Sequence, residues 1–358
     1  MATDDISPLI KEKAPLILAE IKKAKSILLH CHPSPDPDSV GSALAMKFAL
    51  EGMGKKATVI KGDSDIPQAF MHFPGAKDIV QKNFFEIDLK EFDLFIVLDG
   101  ASLGMISHKG EVAFPSTLTV VVIDHHFTNA GFGKISLLEP SYPANCQIVF
   151  DLLKEWGVTM TPEIASNVFM GMYTDTGAFK FTGVNAHTFD VARQLVPYIP
   201  DLPRLISDME NFNTPGFMVF EGIALSNIKT FLGGKMVMAA VPNEAILSKK
   251  CVVGDVTIAE TADELCIRLS AEDIRPSEVS SFLRTVPDWQ IAVCAVETSP
   301  GSTRFSFRSG SKNIYDVSKL AASLGGGGHK FAAGLTLDMP IDQAVSAVVA
   351  KARELYNL

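Results

Sequence analysis

The sequence predicts an α/β protein in two parts: a parallel-sheet N-terminal domain and a smaller α+β C-terminal domain. Three observations carry this. The 358 residues exceed one ordinary domain, at roughly 100–200 residues each. In the first half, near-continuous apolar runs alternate with helical stretches, the pattern of a parallel sheet covered on both faces. In the second half, strand-like runs follow one another before two closing helices.

The elements follow in order. Ala14–Lys25 alternates apolar and polar residues at helical spacing. SILLHCH (Ser26–His32) is a short apolar run that suits a buried strand, and Gly41–Gly54 reads as a helix with a glycine stop. Lys56–Lys61, Asp93–Asp99 and Leu118–Asp124 are further strands. Helices are expected over Cys146–Trp156, Pro162–Met172 and Ala186–Val196. Pro197, Pro200 and Pro203 then punctuate the chain, and a polar helical stretch runs to about Lys229. The expected division is therefore a first domain over 1–200, a linker over 201–230 and a second domain over 231–358. In the second domain KMVMAAVP, CVVGDVTIA, WQIAVCAVE and STRFSFRSG read as strands. A helix around Asp316–Ser323 follows, then the glycine run of GGGGHKFAAG and a last helix from Asp342.

Composition narrows the function classes. Hydrophobic residues at 47% and charged residues at 20% exclude disordered, collagenous and coiled-coil chains. The net charge is −9. Residues 1–200 carry 17 basic against 23 acidic side chains, and residues 231–358 carry 13 against 14. A protein that grips long duplex nucleic acid presents a basic face, so a phosphate-bearing substrate is expected to be small or held by metal ions. The five cysteines (Cys31, Cys146, Cys251, Cys266, Cys294) form no C-x-x-C pair and read as reduced thiols. The opening MATDDISPLIKEK lacks the charged and apolar regions of a secretory signal. No apolar stretch approaches ~18 residues. A cytoplasmic protein without a membrane partner is expected.

Three expected strands end in metal-ligand residues: His30 and His32 with Asp36 and Asp38 beyond, then Asp99, then Asp124-His125-His126. In open parallel sheets, function gathers at the carboxyl ends of the strands. A fourth acidic residue, Asp175 in YTDTGAF, follows a helical run, and a chain reversal would bring it to the same edge. One Asp after a strand ordinarily starts a turn. Four such places, two with histidines, point to a metal site. In HPSPDPD, Asp36 and Asp38 stand two apart in a proline-stiffened loop that can aim them at two neighbouring cations. Mixed carboxylate and imidazole ligands suit Mn²⁺, Fe²⁺ or Co²⁺ better than a thiolate zinc site or an all-oxygen Ca²⁺ site. No P-loop sequence is present, and the glycine run before His329 lacks the strand-first context of a dinucleotide site.

Taken together, H-x-x-P-D-x-D-x-x-G-S (His32 to Ser42), Asp99 after a strand, D-H-H (Asp124–His126) and D-T-G-x-F (Asp175–Phe179) resemble the DHH phosphoesterase superfamily. G-G-G-H-x-x-A-A-G (Gly326–Gly334) resembles its DHH-associated substrate-binding domain. The resemblance spans essentially the whole chain. It looks closest to the subgroup of oligoribonucleases that also act as 3′-phosphoadenosine 5′-phosphate (pAp) phosphatases. It implies a DHH catalytic domain in the first part and a substrate-binding domain in the last.

The same resemblance implies the roles. One metal would be held by His32, Asp36 and Asp99, and the other by Asp38, Asp99, His125 and Asp175, with Asp99 bridging. Asp124 would orient an imidazole from behind, and His126 would face the substrate phosphate or the leaving oxygen. Arg308, Gly326, Gly327, Gly328 and His329 would bind substrate from the second domain. His30 and Cys31 match no functional position and read as packing residues. Pro37 stands where the family commonly has Gly, Ser34 where it has Asn, and Cys146-Gln147 where a Ser/Thr and a Glu are frequent.

The implied activity is hydrolysis of phosphoesters with two divalent ions, Mn²⁺ foremost, on short RNA or nucleotides. A homodimer is compatible with it. The alternative is a cyclic or linear dinucleotide phosphodiesterase with the same site. A RecJ-type exonuclease on long single strands would call for a basic groove with stacking aromatics. A non-catalytic nucleotide-binding regulator would call for the loss of a ligand, and every ligand is present.

Overall fold

The computed structural model describes residues 6–210, 213–247, 251–253, 256–259, 269–310, 312 and 314–358. The chain separates into two units, Met1–Phe212 and Asn213–Leu358. The first holds, in order, α1 (Pro8–Lys23), β1 (Ser26–His30), α2 (Pro37–Gly52), β2 (Lys56–Ile60), β3 (Leu94–Leu98), β4 (Thr119–Asp124) and β5 (Ile135–Leu138). Helices α3 (Asn145–Glu155), α4 (Pro162–Asp175), α5 (Ala186–Leu195) and α6 (Leu202–Glu210) follow.

The sheet runs β2-β1-β3-β4-β5, with every pair parallel. Its central strands are apolar end to end because both faces are covered: β3, LFIVL, is buried at all five positions. On one face Leu29, Ile96 and Ile123 pack with Ile17 of α1, Leu44 of α2, Leu152 of α3 and Val168 of α4. The other face is covered differently. There Leu28, Phe95 and Val122 meet Phe84, Phe92, Ile106 and Val112, from a stretch between β2 and β4 built of short 3₁₀ turns.

Register decides what meets at the sheet edge. Leu98 pairs with Ile123, so Asp99 and Asp124 stand side by side just beyond. Leu29 pairs with Ile96, and continuing that register brings His32 level with Asp99.

Three helices differ from the sequence expectation by three residues or more: α1 starts at Pro8, six residues before the expected Ala14, behind an N-cap at Ser7, and the other two lie at the site. α2 starts at Pro37, four residues early, because the Asp36 side chain accepts a hydrogen bond from Ser39 N at 2.8 Å and Pro37 fills the first helical position. α4 runs three residues further than expected, so Asp175 is its last residue. β5 escapes sequence reading because it is four residues long and only one is buried.

The second unit begins with α7 (Pro215–Ser226), β6 (Ile228–Phe231), β7 (Met236–Val241), α8 (Asn243–Leu247), β8 (Cys251–Val253), β9 (Val256–Ala259) and α9 (Pro276–Leu283). It continues with β10 (Ile291–Ser299), β11 (Ser302–Ser309), α10 (Val317–Ala322), β12 (Gly327–His329), β13 (Ala332–Leu337) and α11 (Ile341–Tyr356). Six strands form a mixed sheet, β12-β13-β11-β10-β7-β6. Only β10 and β7 pair in parallel. Phe305 and Phe307 pack on one face with Leu320 of α10 and Val348 of α11. Cys294 and Val296 pack on the other with Phe220 of α7 and Val279 of α9. The unit is α+β, as expected.

Residues 251–259, expected as one strand, carry two short antiparallel strands, β8 and β9; residues 254–255 between them lie outside the described residues. The expected linker stretch carries α6 and α7. Cys31, Cys146 and Cys294 are free and buried, and Cys266 lies outside the described residues. Among the described residues no helix is long and apolar enough to cross a membrane.

Candidate active site

Asp99 is the hub. It follows β3 with φ of 60°, a left-handed conformation unusual for a residue with a Cβ. Its amide donates to Ile123 O at 2.9 Å, which ties the turn to β4. One carboxylate oxygen, Oδ2, lies 3.4 Å from His32 Nε2. The other, Oδ1, lies 3.3 Å from His125 Nε2 and 3.7 Å from His126 Nδ1. Oδ1 is buried and accepts no hydrogen bond. His32 turns its Nδ1 to Asp36 Oδ2 at 3.2 Å.

The histidines after β4 are oriented from behind. His125 Nδ1–H donates to the Tyr142 carbonyl at 3.2 Å, which leaves Nε2 as a lone pair facing Asp99 and, at 3.6 Å, Asp175 Oδ2. Tyr142 is itself fixed: its hydroxyl donates to buried Asp151 at 2.6 Å. His126 Nδ1–H donates to Asp124 Oδ1 at 2.8 Å. Asp124 is fully buried, and its second oxygen accepts from Asn129 Nδ2 at 2.7 Å.

Asp38 sits in the first turn of α2 and points across to the start of α3. It accepts from the amides of Asn145 at 2.6 Å and Cys146 at 2.9 Å. Free amides at a helix start favour a carboxylate there. α2 and α4 come close enough to share this corner because Gly41 and Gly171 lack side chains. A Cβ on Gly41 would lie 2.6 Å from Asn167 O, and one on Gly171 would lie 2.8 Å from Asp38 Oδ1.

The electrostatics call for cations. Among the described residues the carboxylates of Asp36, Asp38, Asp99 and Asp175 have no lysine or arginine within ion-pair distance. Burial, then the charge of Asp38, pushes the Asp99 carboxyl well above its usual range despite His32. Burial and Asp38 also raise Asp175 to about 7, with His125 opposing. Burial works against a charged His32, but Asp99 and Asp36 outweigh it and raise the imidazole to about 9. Protons gather here where positive charge is wanted. His32, Asp36 and Asp99 offer one set of donor atoms, all within 4.8 Å of one another, and Asp38, His125 and Asp175 offer another. Asp99, His125 and His126 form a third, although Asp124 already takes His126 Nδ1. These sets of imidazole and carboxylate, with an orphaned buried oxygen between them, fit divalent ions.

His30 is buried beside this cluster with its Nε2 unpartnered. Burial, then His32, lowers its pKa to about 3, so it stays neutral. The sequence gives no role to Tyr142, Asn129 or the Asn145 amide, and marks Cys146 in the first turn of α3 only as a departure from the family pattern. Asn129, five residues after Asp124, is the one with a signal: a short polar side chain in the loop that leaves the histidines.

In the second unit, Arg308 lies near the end of β11. It donates from Nε to Ser281 Oγ at 3.1 Å and from Nη1 to the Phe307 carbonyl at 3.0 Å. Its register partner on β13 is Ala332, which also pairs with His329 on β12. The glycine run is therefore partly a strand and not a free loop. Gly328, with φ of 140°, has no room for a Cβ, which would lie 2.5 Å from Ala333 Cα. Gly326 is equally tight against Gly334 O at 2.4 Å. The close approach these two permit is to β13. Gly327 has open space where its Cβ would be, and His329 is exposed.

Comparison with known proteins identifies both domains. Residues 26–172 match the DHH family N-terminal domain and residues 277–357 match the DHHA1 domain. The chain is 31% identical over 344 residues to the bifunctional oligoribonuclease and PAP phosphatase NrnA of Thermus thermophilus, covering 94% of this chain and 93% of that one. A probable bifunctional oligoribonuclease and PAP phosphatase of Streptococcus mutans is 26% identical over 320 residues, covering 89% and 91%. An exopolyphosphatase-related protein from Bacteroides fragilis has the same fold, with a TM-score of 0.82 at 21% identity over 99% of this chain and 100% of that one. With both domains matched in order and the six clustered residues falling at the edge of the first sheet, the chain belongs to the DHH family.

Proposed function

We propose that this protein is a two-metal phosphoesterase that hydrolyses short oligoribonucleotides to mononucleotides and pAp to AMP, with Mn²⁺ as its metal. The observation that carries the reading is the Asp99 carboxylate. One oxygen faces His32 and the other faces His125, and the buried Oδ1 has no hydrogen-bond donor. A carboxylate so placed suits a bridge between two ions. His32 and Asp36 would complete the donors for one ion, and Asp38, His125 and Asp175 those for the other. The names of the Thermus and Streptococcus relatives supply the substrate class.

When bound, two divalent ions supply Lewis acidity and a nucleophile at neutral pH. The chain's residues do the rest. Tyr142 O and Asp124 fix the tautomers of His125 and His126, so that each ring turns Nε2 away from its anchor. Asp124 keeps Nδ1–H of His126, so the ring donates from Nε2 as an imidazolium: it gives that proton to the departing ribose oxygen and is left as the neutral Nδ1–H tautomer. Arg308 and His329 bind substrate phosphate, and Gly327 keeps the backbone open beside them.

A product time course tests this. Purified protein with Mn²⁺ is given pAp, a dinucleotide, a five-nucleotide RNA, a 24-nucleotide RNA and cyclic di-AMP. AMP from pAp and mononucleotides from the short RNAs are expected, faster than from the long one. Cleavage of the cyclic dinucleotide alone would replace this reading with the dinucleotide phosphodiesterase.

A further inference from the structure

Among the described residues, α7 and α9 cover one face of the second sheet where β7 and β10 run. β10 contributes Cys294 and Val296 to the layer under α7 and α9. On β11 their neighbours across the ladder are Ser306 and Arg304, followed by Arg308. The next partners, on β13, are Gly334, Thr336 and Ala332. Residues paired directly across a ladder share a face, so both arginines lie on the side that the helices cover further along. Here a cavity of about 420 Å³ opens, lined among others by Ser277 at the start of α9, Arg304, Ser306, Gly334 and Thr336.

The chemistry of this groove is specific. β11 is an interior strand, yet it places the exposed side chain of Arg304 in the groove, where among the described residues it has no hydrogen-bond or ion-pair partner. The lining contains no carboxylate. It offers the hydroxyls of Ser277 and Thr336, while Ser306 Oγ is already taken by Ser280 Oγ at 3.1 Å, and Gly334 lines the floor. A cation with hydroxyls over a bare backbone is a site for a phosphate diester. At ~3.3 Å per residue, the Cα atoms of Arg304 and Arg308 stand about 13 Å apart along β11, further than one phosphate group reaches.

We propose that this groove binds a second phosphate of the RNA, further along the strand from the one at Arg308, and so makes Arg304 a determinant of substrate length. The proposal rests on the reading that Arg308 and His329 hold substrate phosphate. It adds that the C-terminal unit grips more than one nucleotide, an advantage that pAp cannot use.

The experiment compares Arg304→Ala and Ser277→Glu with the wild type on pAp and on a five-nucleotide RNA. An acidic residue in the first turn favours a helix, so Ser277→Glu folds while placing negative charge in the groove. Each variant is expected to lower the ratio of kcat/KM on RNA to kcat/KM on pAp by at least five-fold, through KM. Arg304→Ala should also flatten the salt dependence of RNA binding by about 0.7 in log–log slope, one phosphate contact on a single strand. Equal losses on both substrates, or none, would overturn the groove while leaving the phosphoesterase intact. Were the wild type inactive on both substrates, the phosphoesterase reading would fail. Anisotropy of a labelled five-nucleotide RNA in chelator would still judge the groove, with unchanged affinity in both variants counting against it.

Discussion

The Asp124 carboxylate, fully buried, accepts the Nδ1 proton of His126 at 2.8 Å while Asn129 holds its other oxygen. Burial works to raise the Asp124 pKa, but the hydrogen bonds from His126 and Asn129 outweigh it and hold the carboxyl below its usual range. This aspartate contacts His126 without joining the donor sets that fit the ions. Asp124→Asn is expected to lower kcat roughly 10–100-fold, the usual effect of losing such an orienting partner. Metal content should stay at the wild-type level. Wild-type turnover in this variant would remove Asp124 from the mechanism.

Asp99→Asn should do more. The side chain keeps its shape but loses the charge that faces His32 on one side and His125 on the other, so metal affinity and activity are expected to fall together, by more than 100-fold in kcat/KM. Circular dichroism should be unchanged. A variant that binds two ions and keeps a tenth of the activity would show that Asp99 is not the bridge.

The metal-free protein should lose stability as pH rises. Asp175 is held at about 7 against an ordinary 3.8, and His32 at about 9 against 6.5. Both bind their protons more tightly folded than unfolded, so each stabilises fully below its unfolded value and loses that effect as pH rises through its folded one. Thermal unfolding in chelator should therefore show Tm falling from about pH 5 to pH 9. Mn²⁺ competes with protons for the same atoms, so the Tm gain on adding it should grow over the same range. A Tm gain independent of pH would place the ion elsewhere.

Removing the proposed substrate contacts should spare the metals. His329→Ala and Arg308→Ala are expected to raise KM for pAp and RNA while ion content, measured on the same samples, stays at the wild-type value. Loss of metal in either variant would contradict the assignment of all ion ligands to the first unit.

Gly41→Ala tests the corner that places Asp38. The new Cβ would lie 2.6 Å from the Asn167 carbonyl and 3.1 Å from Cys146 Sγ, so α2 must shift from α4. A loss of about 1–3 kcal/mol in unfolding free energy is expected, read by urea denaturation. An unchanged midpoint would show that the two helices have slack there.

The sequence by itself determined the strands that carry the site and the residue types at their ends. Apolar runs such as Leu94–Leu98 are legible because a strand buried on both faces needs no alternation. A metal-site cluster was legible because imidazoles and carboxylates stand where those runs stop, and the resemblance to the DHH phosphoesterases singled out His32, Asp36, Asp38, Asp99, His125 and Asp175 within it. Tertiary structure alone decided what lies behind them. The Tyr142 carbonyl that turns His125 is a backbone group, which no side-chain pattern announces. The amides of Asn145 and Cys146 meet Asp38 only once α3 packs against α2. Asp175 joins the cluster because α4 continues to it, held by packing against α2 that its own periodicity does not record. In the second unit the glycine run gives no sign of a strand, because glycine carries no strand signal. It pairs with β13 because Gly326 and Gly328 let two backbones approach to distances that any Cβ would forbid.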